Sequence, residues 1–440
     1  MDPLTRSETL QVLSFMGVEV PKNTKLPADV LDKRLQDALN AAQNRDQLPI
    51  TPPVDPETTK KWPVRRNPPE QKSLRKAVWR GSLGEAHDII RAREMQGEYK
   101  RDLFKDAFWD LRQTMMSVGD TIDKGHQWFT IEDPDHQLFS INVRLLPTLQ
   151  IDLGTPGIVV LYRAFNRATV LEAIKWIKSQ SALRGSNNAV KDRSTIIASP
   201  LEAKLILKLL KVNSNLLSPH YQPSRDEFEE GFKLSVLLPI GPLGFSELGR
   251  LSNDPGCAVC GKERKSRCSQ CQFVSYCSVA CQKADWPAHK QTCRSLKGGR
   301  WCTIPFRVCR PGEGGLPMSR SSRLDVNHPQ PWTNADRVWP REGDPPPPNI
   351  HGDKAFLVKL QAPQVVWAYP AFLVYDRQHS FGEVFFAAED SPEAYAAFVT
   401  EVQGPRGGYR GGKMYRWARR TGEKELTVCL DREPRTEIKW

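Results

Sequence analysis

The chain has 440 residues, with 63 Lys and Arg against 51 Asp and Glu for a formal net charge of +12. That length allows two or three domains with their own cores, and the charge permits an acidic partner such as nucleic acid or an acidic protein surface without requiring one. No apolar run reaches the roughly 18 residues of a membrane-spanning helix, and the opening MDPLTRSETLQVLSFMGV lacks the basic flank and apolar stretch of a secretion signal, so the 10 cysteines are expected to stay reduced in an intracellular protein, nuclear or cytoplasmic.

Residues 9–20 and 31–42 carry helical patterns, the second with Leu31, Leu35, Leu39 and Ala42 along one face. From 48 to 70 closely spaced prolines withhold backbone donors, which predicts an exposed linker, so that residues 1–71 form a helical N-terminal segment and a Pro-rich linker. Lys60, Lys61, Arg65 and Arg66 in that stretch are either an import signal or solvated charge. Residues 72–250 then read as a mixed helix and strand domain. A helix over 99–116 places Leu103, Phe104, Ala107, Phe108, Leu111 and Met115 on one apolar stripe, and a strand alternates Phe139, Ile141, Val143 and Leu145 against Ser140, Asn142 and Arg144. A β-branched run follows at 158–162, helix returns after Arg167, and Ser199-Pro-Leu-Glu202 marks a helix over 200–217, capped by Ser199 with Glu202 as reciprocal partner.

Between this region and the C-terminus lies the most specific pattern in the chain, C-x2-C-x7-C-x2-C-x5-C-x3-C-x7-H-x3-C over residues 257–293. Cys257/Cys260 and Cys268/Cys271 have the spacing of metal knuckles, and Cys277/Cys281 and His289/Cys293 have the spacing of two donors on one helical face. Eight donors suit two tetrahedral Zn2+ ions per chain with no position left for water, a structural module with no active site. Sequential and interleaved pairing both satisfy the count. Residues 294–352 form a Pro/Gly-rich irregular connector that culminates in a proline run at 345–348. Residues 353–440 read as a small α+β domain, with strands near 356–360, 371–375, 383–388, 413–418 and 426–430 and a helix opening at Ser391-Pro392 that carries Tyr395, Phe398, Val399 and Val402 on one face.

The eight donors, with the run Tyr276-Cys-Ser-Val-Ala-Cys281-Gln-Lys-Ala-Asp-Trp286-Pro-Ala-His289-Lys-Gln-Thr-Cys293, resemble the MYND-type zinc finger family. The layout, with the finger between a larger N-terminal region and a smaller C-terminal one, also resembles that of fungal MYND-finger proteins. The resemblance implies interleaved pairing: Cys257, Cys260, Cys277 and Cys281 on one zinc, and Cys268, Cys271, His289 and Cys293 on the other. It also implies docking of a proline-containing peptide of a protein partner, with Gln282 and Trp286 as contacts and transcriptional regulation as the usual setting. A strand near 273–276 is expected to offer free backbone groups to that peptide. The whole is therefore an α+β multidomain chain with a small cross-braced two-zinc finger between the two flanking regions.

Six basic side chains of the finger (Lys262, Arg264, Lys265, Arg267, Lys283, Lys290) face two acidic ones (Glu263, Asp285), and seven thiolates on two dications bring the sum to about +1. That is no DNA-reading surface. Two competing readings use other residues. Arg406-Gly-Gly-Tyr-Arg-Gly-Gly412 resembles an RNA-binding glycine/arginine segment, although it leads straight into a strand pattern. Asn327-His328 faintly resembles the cofactor motif of SET-type lysine methyltransferases, but Pro329 and Gln330 follow where that motif continues with Ser and Cys. Cys302, Cys309 and Cys429 and the seven other histidines stand apart from any second cluster. The expectation is a non-enzymatic zinc-binding interaction protein.

Overall fold

The computed structural model describes residues 1–440 except 19, 21–23, 64–72, 82–102, 184–194, 253–255, 272–273, 309–342, 344, 347–348, 353–354, 364–369, 378–383 and 435–440. The described residues fall into two compact units, Met1–Gly17 with Leu31–Leu243, and Val18–Val30 with the chain from Gly244 onward. Arg65, Arg66, Asn327, His328 and Cys309 lie outside the described residues.

The first unit begins with α1 (Arg6–Phe15) and, from Leu31 onward, α2 (Ala28–Ala42), followed by the short α3 (Leu74–Ala77) and α4 (Ala107–Asp123). Thr5 caps α1 in a reciprocal box with Glu8, and α2 buries Leu31, Leu35, Leu39 and Ala42 as its periodicity predicts. Helix α4 starts later than expected. The carboxylate of Asp106 accepts from the amides of Phe108 and Trp109 and so fixes the N-terminus, leaving Leu103 and Phe104 in an exposed turn outside the apolar stripe.

Strands β1 (Trp128–Glu132), β2 (Phe139–Gln150) and β3 (Pro156–Asn166) precede α5 (Val170–Leu183), β4 (Thr195–Ile197), α6 (Pro200–Asn213) and β5 (Lys233–Leu237). The sheet order is β4-β1-β2-β3-β5, antiparallel throughout except for the parallel β1/β4 pair. The alternation along β2 separates two faces, both of them buried. Ser140 and Asn142 are fully covered: the hydroxyls of Thr130 and Ser140 lie 2.9 Å apart, Ser140 donates to Asn142 Oδ1 at 2.8 Å, and Asn142 Nδ2 donates to the Ala173 carbonyl of α5 at 3.0 Å. A buried polar row is tolerated because each member has a partner. A similar exchange joins the residue after α2 to the end of α6. The amides of Gln43 and Asn213 pair reciprocally at 2.6 and 3.2 Å, and Asn213 also donates to the Val236 carbonyl of β5 at 2.9 Å.

Part of the proline-rich stretch corrects the expectation of an exposed linker. Residues 60–62 run along the end of β2 that β1 leaves unpaired. Trp62 N–H donates to the Thr148 carbonyl and Gln150 N–H to the Lys60 carbonyl, while Val54 exchanges backbone bonds with Leu216 and Ser218. Trp62 and Val54 are consequently buried. Proline prevents a helix here, but the residues between the prolines still add to a sheet edge.

The second unit holds α7 (Phe245–Ser252), the cysteine-rich segment with β6 (Ser266–Arg267), β7 (Ser275–Tyr276) and α8 (Val279–Leu296), and a six-stranded antiparallel sheet. That sheet comprises β8 (Trp301–Pro305), β9 (Phe356–Gln361), β10 (Ala371–Asp376), β11 (Val384–Ala387), β12 (Lys413–Gly422) and β13 (Glu425–Cys429), in the order β11-β10-β9-β12-β13-β8. Strand β8 overturns the reading of residues 301–305 as irregular connector. It pairs with β13 over Trp301 to Pro305, and its composition is uninformative because the strand is an edge one. Helix α9 (Pro392–Gln403) packs Phe398 and Val402 onto the sheet face formed by Val358, Phe372, Phe386, Met414 and Val428.

Buried Arg416 of β12 knits this face together. It donates to Glu401 Oε1 at 2.9 Å and to the carbonyls of Leu430 and Arg406 at 2.7 and 3.0 Å, and Arg406 grips Glu401 with two 2.7 Å bonds. Arg406, the first of the two arginines in the glycine-rich 406–412 segment, is thus committed to an intramolecular carboxylate.

Glu202 also departs from expectation. Ser199 caps α6 as predicted, but Glu202 does not reach back. Its carboxylate turns inward and accepts from Thr114 of α4 at 2.6 Å, with 1% of the residue exposed. Burial, aided by the nearby Asp110 charge, pushes Glu202 up to about 7. An acid held above its unfolded value of 4.5 binds its proton more tightly when folded. Its stabilising contribution is full below that value and is lost as the pH rises towards 7, about 3 kcal/mol in all. Thermal unfolding followed from pH 4.5 to 8 should therefore show wild type losing stability relative to Glu202→Gln as pH rises; parallel curves would contradict this.

Candidate metal centre

The first knuckle is a tight backbone turn. Cys257 N–H donates to the Lys262 carbonyl at 2.7 Å and Gly261 N–H to the Cys257 carbonyl at 2.9 Å, with Gly261 at φ +71°. At Gly256 an added Cβ would lie 2.3 Å from the Gly261 carbonyl oxygen, so the approach that closes the turn admits glycine alone. The second knuckle, Cys268 and Cys271, leaves β6, which pairs with β7 through Ser266/Tyr276 and Arg267/Ser275.

The third and fourth pairs differ from one another. His289 and Cys293 lie one turn apart on the buried face of α8, as their spacing predicts. Cys277, in contrast, precedes the helix. Ser278 is the N-cap, accepting from the Cys281 amide at 3.2 Å, so this pair bridges the end of β7 and the first turn of α8 and does not share a helical face.

The fold gathers the donors interleaved along the chain. Cys257, Cys260, Cys277 and Cys281 form one group and Cys268, Cys271, His289 and Cys293 the other, the donor atoms of each within 4.8 Å of one another. In the first group the sulfur separations are 3.5 Å (Cys260–Cys277), 3.6 Å (Cys277–Cys281) and 3.9 Å (Cys260–Cys281). In the second, Cys268 and Cys293 are 3.7 Å apart, and Cys271 Sγ is 3.4 Å from His289 Nε2. A tetrahedron with Zn–S bonds of about 2.3 Å has edges of roughly 3.8 Å, and a mixed S/N edge is roughly 3.6 Å. The donor sets have these dimensions, and each group can hold a zinc ion.

Electrostatics point the same way. Burial raises the thiol of Cys257, but the backbone amides of Cys277, Cys260 and Val259 outweigh it and bring this group down to about 7. At Cys268 burial is likewise outweighed by the amides of Cys271 and Gln270. Their neighbours move the other way. The Lys262 amide favours the Cys260 thiolate, yet burial and the adjoining sulfurs push that thiol up to about 12, and burial with the Cys268 sulfur raises Cys293. In each group one thiolate is favoured, at Cys257 and Cys268, while the thiols of Cys260, Cys281 and Cys293 are raised beside it. A dication at the centre offsets thiolate charge. Burial also lowers His289, keeping its ring neutral and its lone pair available to a metal.

Tyr276 locks the two halves of the module. It is fully buried, and its hydroxyl donates to Asp285 Oδ2 of α8 at 2.7 Å. Outside the module, Trp301 of β8, Trp417 of β12 and the buried Cys429 pack against Cys257, Cys268, Tyr276 and Leu296. Arg419 Nη2 donates to the Cys271 carbonyl at 2.8 Å while its guanidinium lies 4.8 Å from the Trp301 ring. Sequence reasoning missed these supports. The available signal was β12 itself, where Trp417 and Arg419 alternate with the core residues Met414 and Ala418.

The two expected peptide contacts both lie on α8. Trp286 is 39% exposed, with its ring edge-on to His289 at 6.1 Å, and Gln282 one turn earlier is half-buried. Among the described residues of the expected strand edge, the carbonyls are not free. The carbonyls of Val274, Ser275 and Tyr276 accept from the amides of Cys268, Ala258 and Lys265, all inside the module.

Residues 257–293 match the family described as MYND finger. Similar proteins include SET domain and MYND-type zinc finger protein 6 of Schizosaccharomyces pombe, 36% identical over 92 residues, 19% of this chain and 19% of that protein. Histone-lysine N-methyltransferase SMYD3 of Homo sapiens is 57% identical over 37 residues, 8% of this chain and 9% of that one. Tudor domain-containing protein 1 of Mus musculus is 33% identical over 87 residues, 20% and 7% of the two chains. The chain therefore spans no more than 19% of the length of these relatives. No solved structure matches.

Elemental analysis of the purified chain should return two zinc ions, one for each donor group; one or none would contradict the geometry. Gly256→Ala should release zinc to a chelator at least about tenfold faster than wild type, because the first knuckle can no longer close.

Proposed function

With residues 257–293 a MYND finger, we propose that this chain is a zinc-dependent interaction protein whose finger docks a proline-containing segment of a protein partner on the outer face of α8. Zn2+ bound by Cys257, Cys260, Cys277 and Cys281, and by Cys268, Cys271, His289 and Cys293, supplies rigidity. The observation that carries the reading is the exposed indole of Trp286, held edge-on to the ring of a metal-site histidine. A large apolar ring on the surface is a normal anchor for a partner. Val279, 66% exposed and two turns before Trp286, extends the same face, and Gln282 supplies an amide between them. Proline packs on an indole without bringing a donor that needs a partner, and a polyproline-type segment loses little entropy on docking.

Because the β7 carbonyls are already engaged, the peptide is held by side chains of α8 and is not added as a strand. The human relative named as a histone-lysine N-methyltransferase matches over a finger-length stretch of 37 residues, so what this chain shares with it is the finger, which supports an interaction role. Transcriptional regulation is the setting we propose. The commitment of Arg406 to Glu401 weighs against the glycine-rich loop as an RNA-binding element.

Trp286→Ala should abolish capture of a proline-containing peptide while the protein keeps both zinc ions. Loss of peptide and zinc together would reassign Trp286 as a cover for the second metal group. Saturable binding of S-adenosylmethionine to the purified chain would instead favour the methyltransferase reading.

A further inference from the structure

Within the first unit, α4, the turn before it, strand β4 and Glu202 of α6 line a half-open cleft of about 370 Å3. That is the lower end of the range for small-molecule sites. Its wall includes Asp110 and Thr114 of α4, Glu202 of α6 and Ile196 of β4, and Leu103 and Phe104 line it from the turn before α4.

Asp110 is the anomaly. It is 4% exposed, and neither carboxylate oxygen has a hydrogen-bond partner. The Phe104 amide lies close enough to favour the anion but not in hydrogen-bonding geometry, and burial with the Asp106 charge leaves this acid raised to about 6. Ser140, Asn142, Gln43 and Asn213 of the same unit are satisfied, and the buried carboxylates of Glu132 and Glu229 each leave one oxygen idle while the other is engaged, whereas Asp110 leaves both idle. An unpartnered buried carboxylate costs stability, and protonation does not remove the need for a partner. Proteins keep such groups where a ligand completes them.

The surroundings narrow the ligand. Asp110 and Glu202 together disfavour an anion, and the nearby Lys124 is already paired with Asp120 at 3.2 Å. Among the described residues, groups of three or more metal-donor side chains occur only in the finger, so two carboxylates and Thr114 make a poor cage for a divalent ion. Leu103 and Phe104, 63% and 45% exposed, offer apolar surface at the mouth, and Phe104 sits at φ +65°, a strained position for a bulky residue.

We propose that this cavity binds a small free organic cation, a primary ammonium on a short apolar stem, with Asp110 as its counter-ion, Glu202 beside it, and Leu103 and Phe104 covering the stem. The ammonium supplies the donors that Asp110 lacks, and an aromatic ring at the mouth suits a cation with an apolar body.

Isothermal titration of the zinc-loaded full chain with n-butylammonium chloride tests this. Saturable binding is expected, with 1-butanol giving none and Asp110→Asn weakening it at least about tenfold. Unliganded Asp110→Asn should melt at or above wild type, since it removes a buried charge without a partner; a lower melting temperature would mark Asp110 as structural and count against the proposal. Should that variant not fold, Ser117→Trp, an exposed α4 position lining the cavity, blocks entry and should abolish the heat. No saturable heat with butylammonium, equal binding by Asp110→Asn, or saturable heat with magnesium chloride in its place would overturn the proposal.

Discussion

The finger has no apolar core of its own, and metal coordination stands in for one. Its two strands are two residues long each, and the side chains that converge on its interior are mostly sulfur donors. So little buried area cannot offset the chain entropy lost on folding such a segment, whereas structural zinc contributes on the order of 10 kcal/mol to folding. Interleaving makes the two groups interdependent. Cys277 and Cys281 of the first group lie between Cys271 and His289 of the second, so opening either group frees chain that anchors the other.

The two units handle buried polarity in opposite ways. In the second, Arg416 and Glu401 are sunk in the sheet and fully used, with Arg406 adding a second grip, an arrangement that fixes how α9 sits on the strands. In the first, the Thr130, Ser140 and Asn142 row and the Gln43/Asn213 exchange are closed networks, while Asp110 is left open beside a cavity. Glu132 and Glu229, also buried in that unit, each keep one carboxylate oxygen engaged, and Asp110 keeps neither.

The metal groups were legible in the sequence because their information is local: donors two to four residues apart are brought together by a turn or a helix whatever surrounds them. Pairing between groups is not local, and there the family resemblance supplied what spacing left open. Glu202 was misread for the converse reason. Ser-x-x-Glu spells a capping box, but nothing nearby reveals Thr114, 88 residues earlier in the chain, as the competing partner. Leu103 and Phe104 extended an apolar periodicity beyond the point where Asp106 ends it, and the capping aspartate was the stronger signal. Strand β8 hid in a Pro/Gly-rich context because five residues on a sheet edge need little compositional bias. In the strand expected to offer free backbone groups, the carbonyls of Val274, Ser275 and Tyr276 are engaged by amides of the module, a pairing that spacing does not reveal.

The seating of the finger on the C-terminal sheet has a consequence for the chain's fate in a cell. Trp301, Trp417 and Cys429 are covered on one side by a structure that lasts only as long as its ions. Metal starvation or thiol oxidation would uncover two indoles and a sulfhydryl at once. A demetallated chain would therefore present an adhesive apolar surface of the kind that chaperones and proteases recognise.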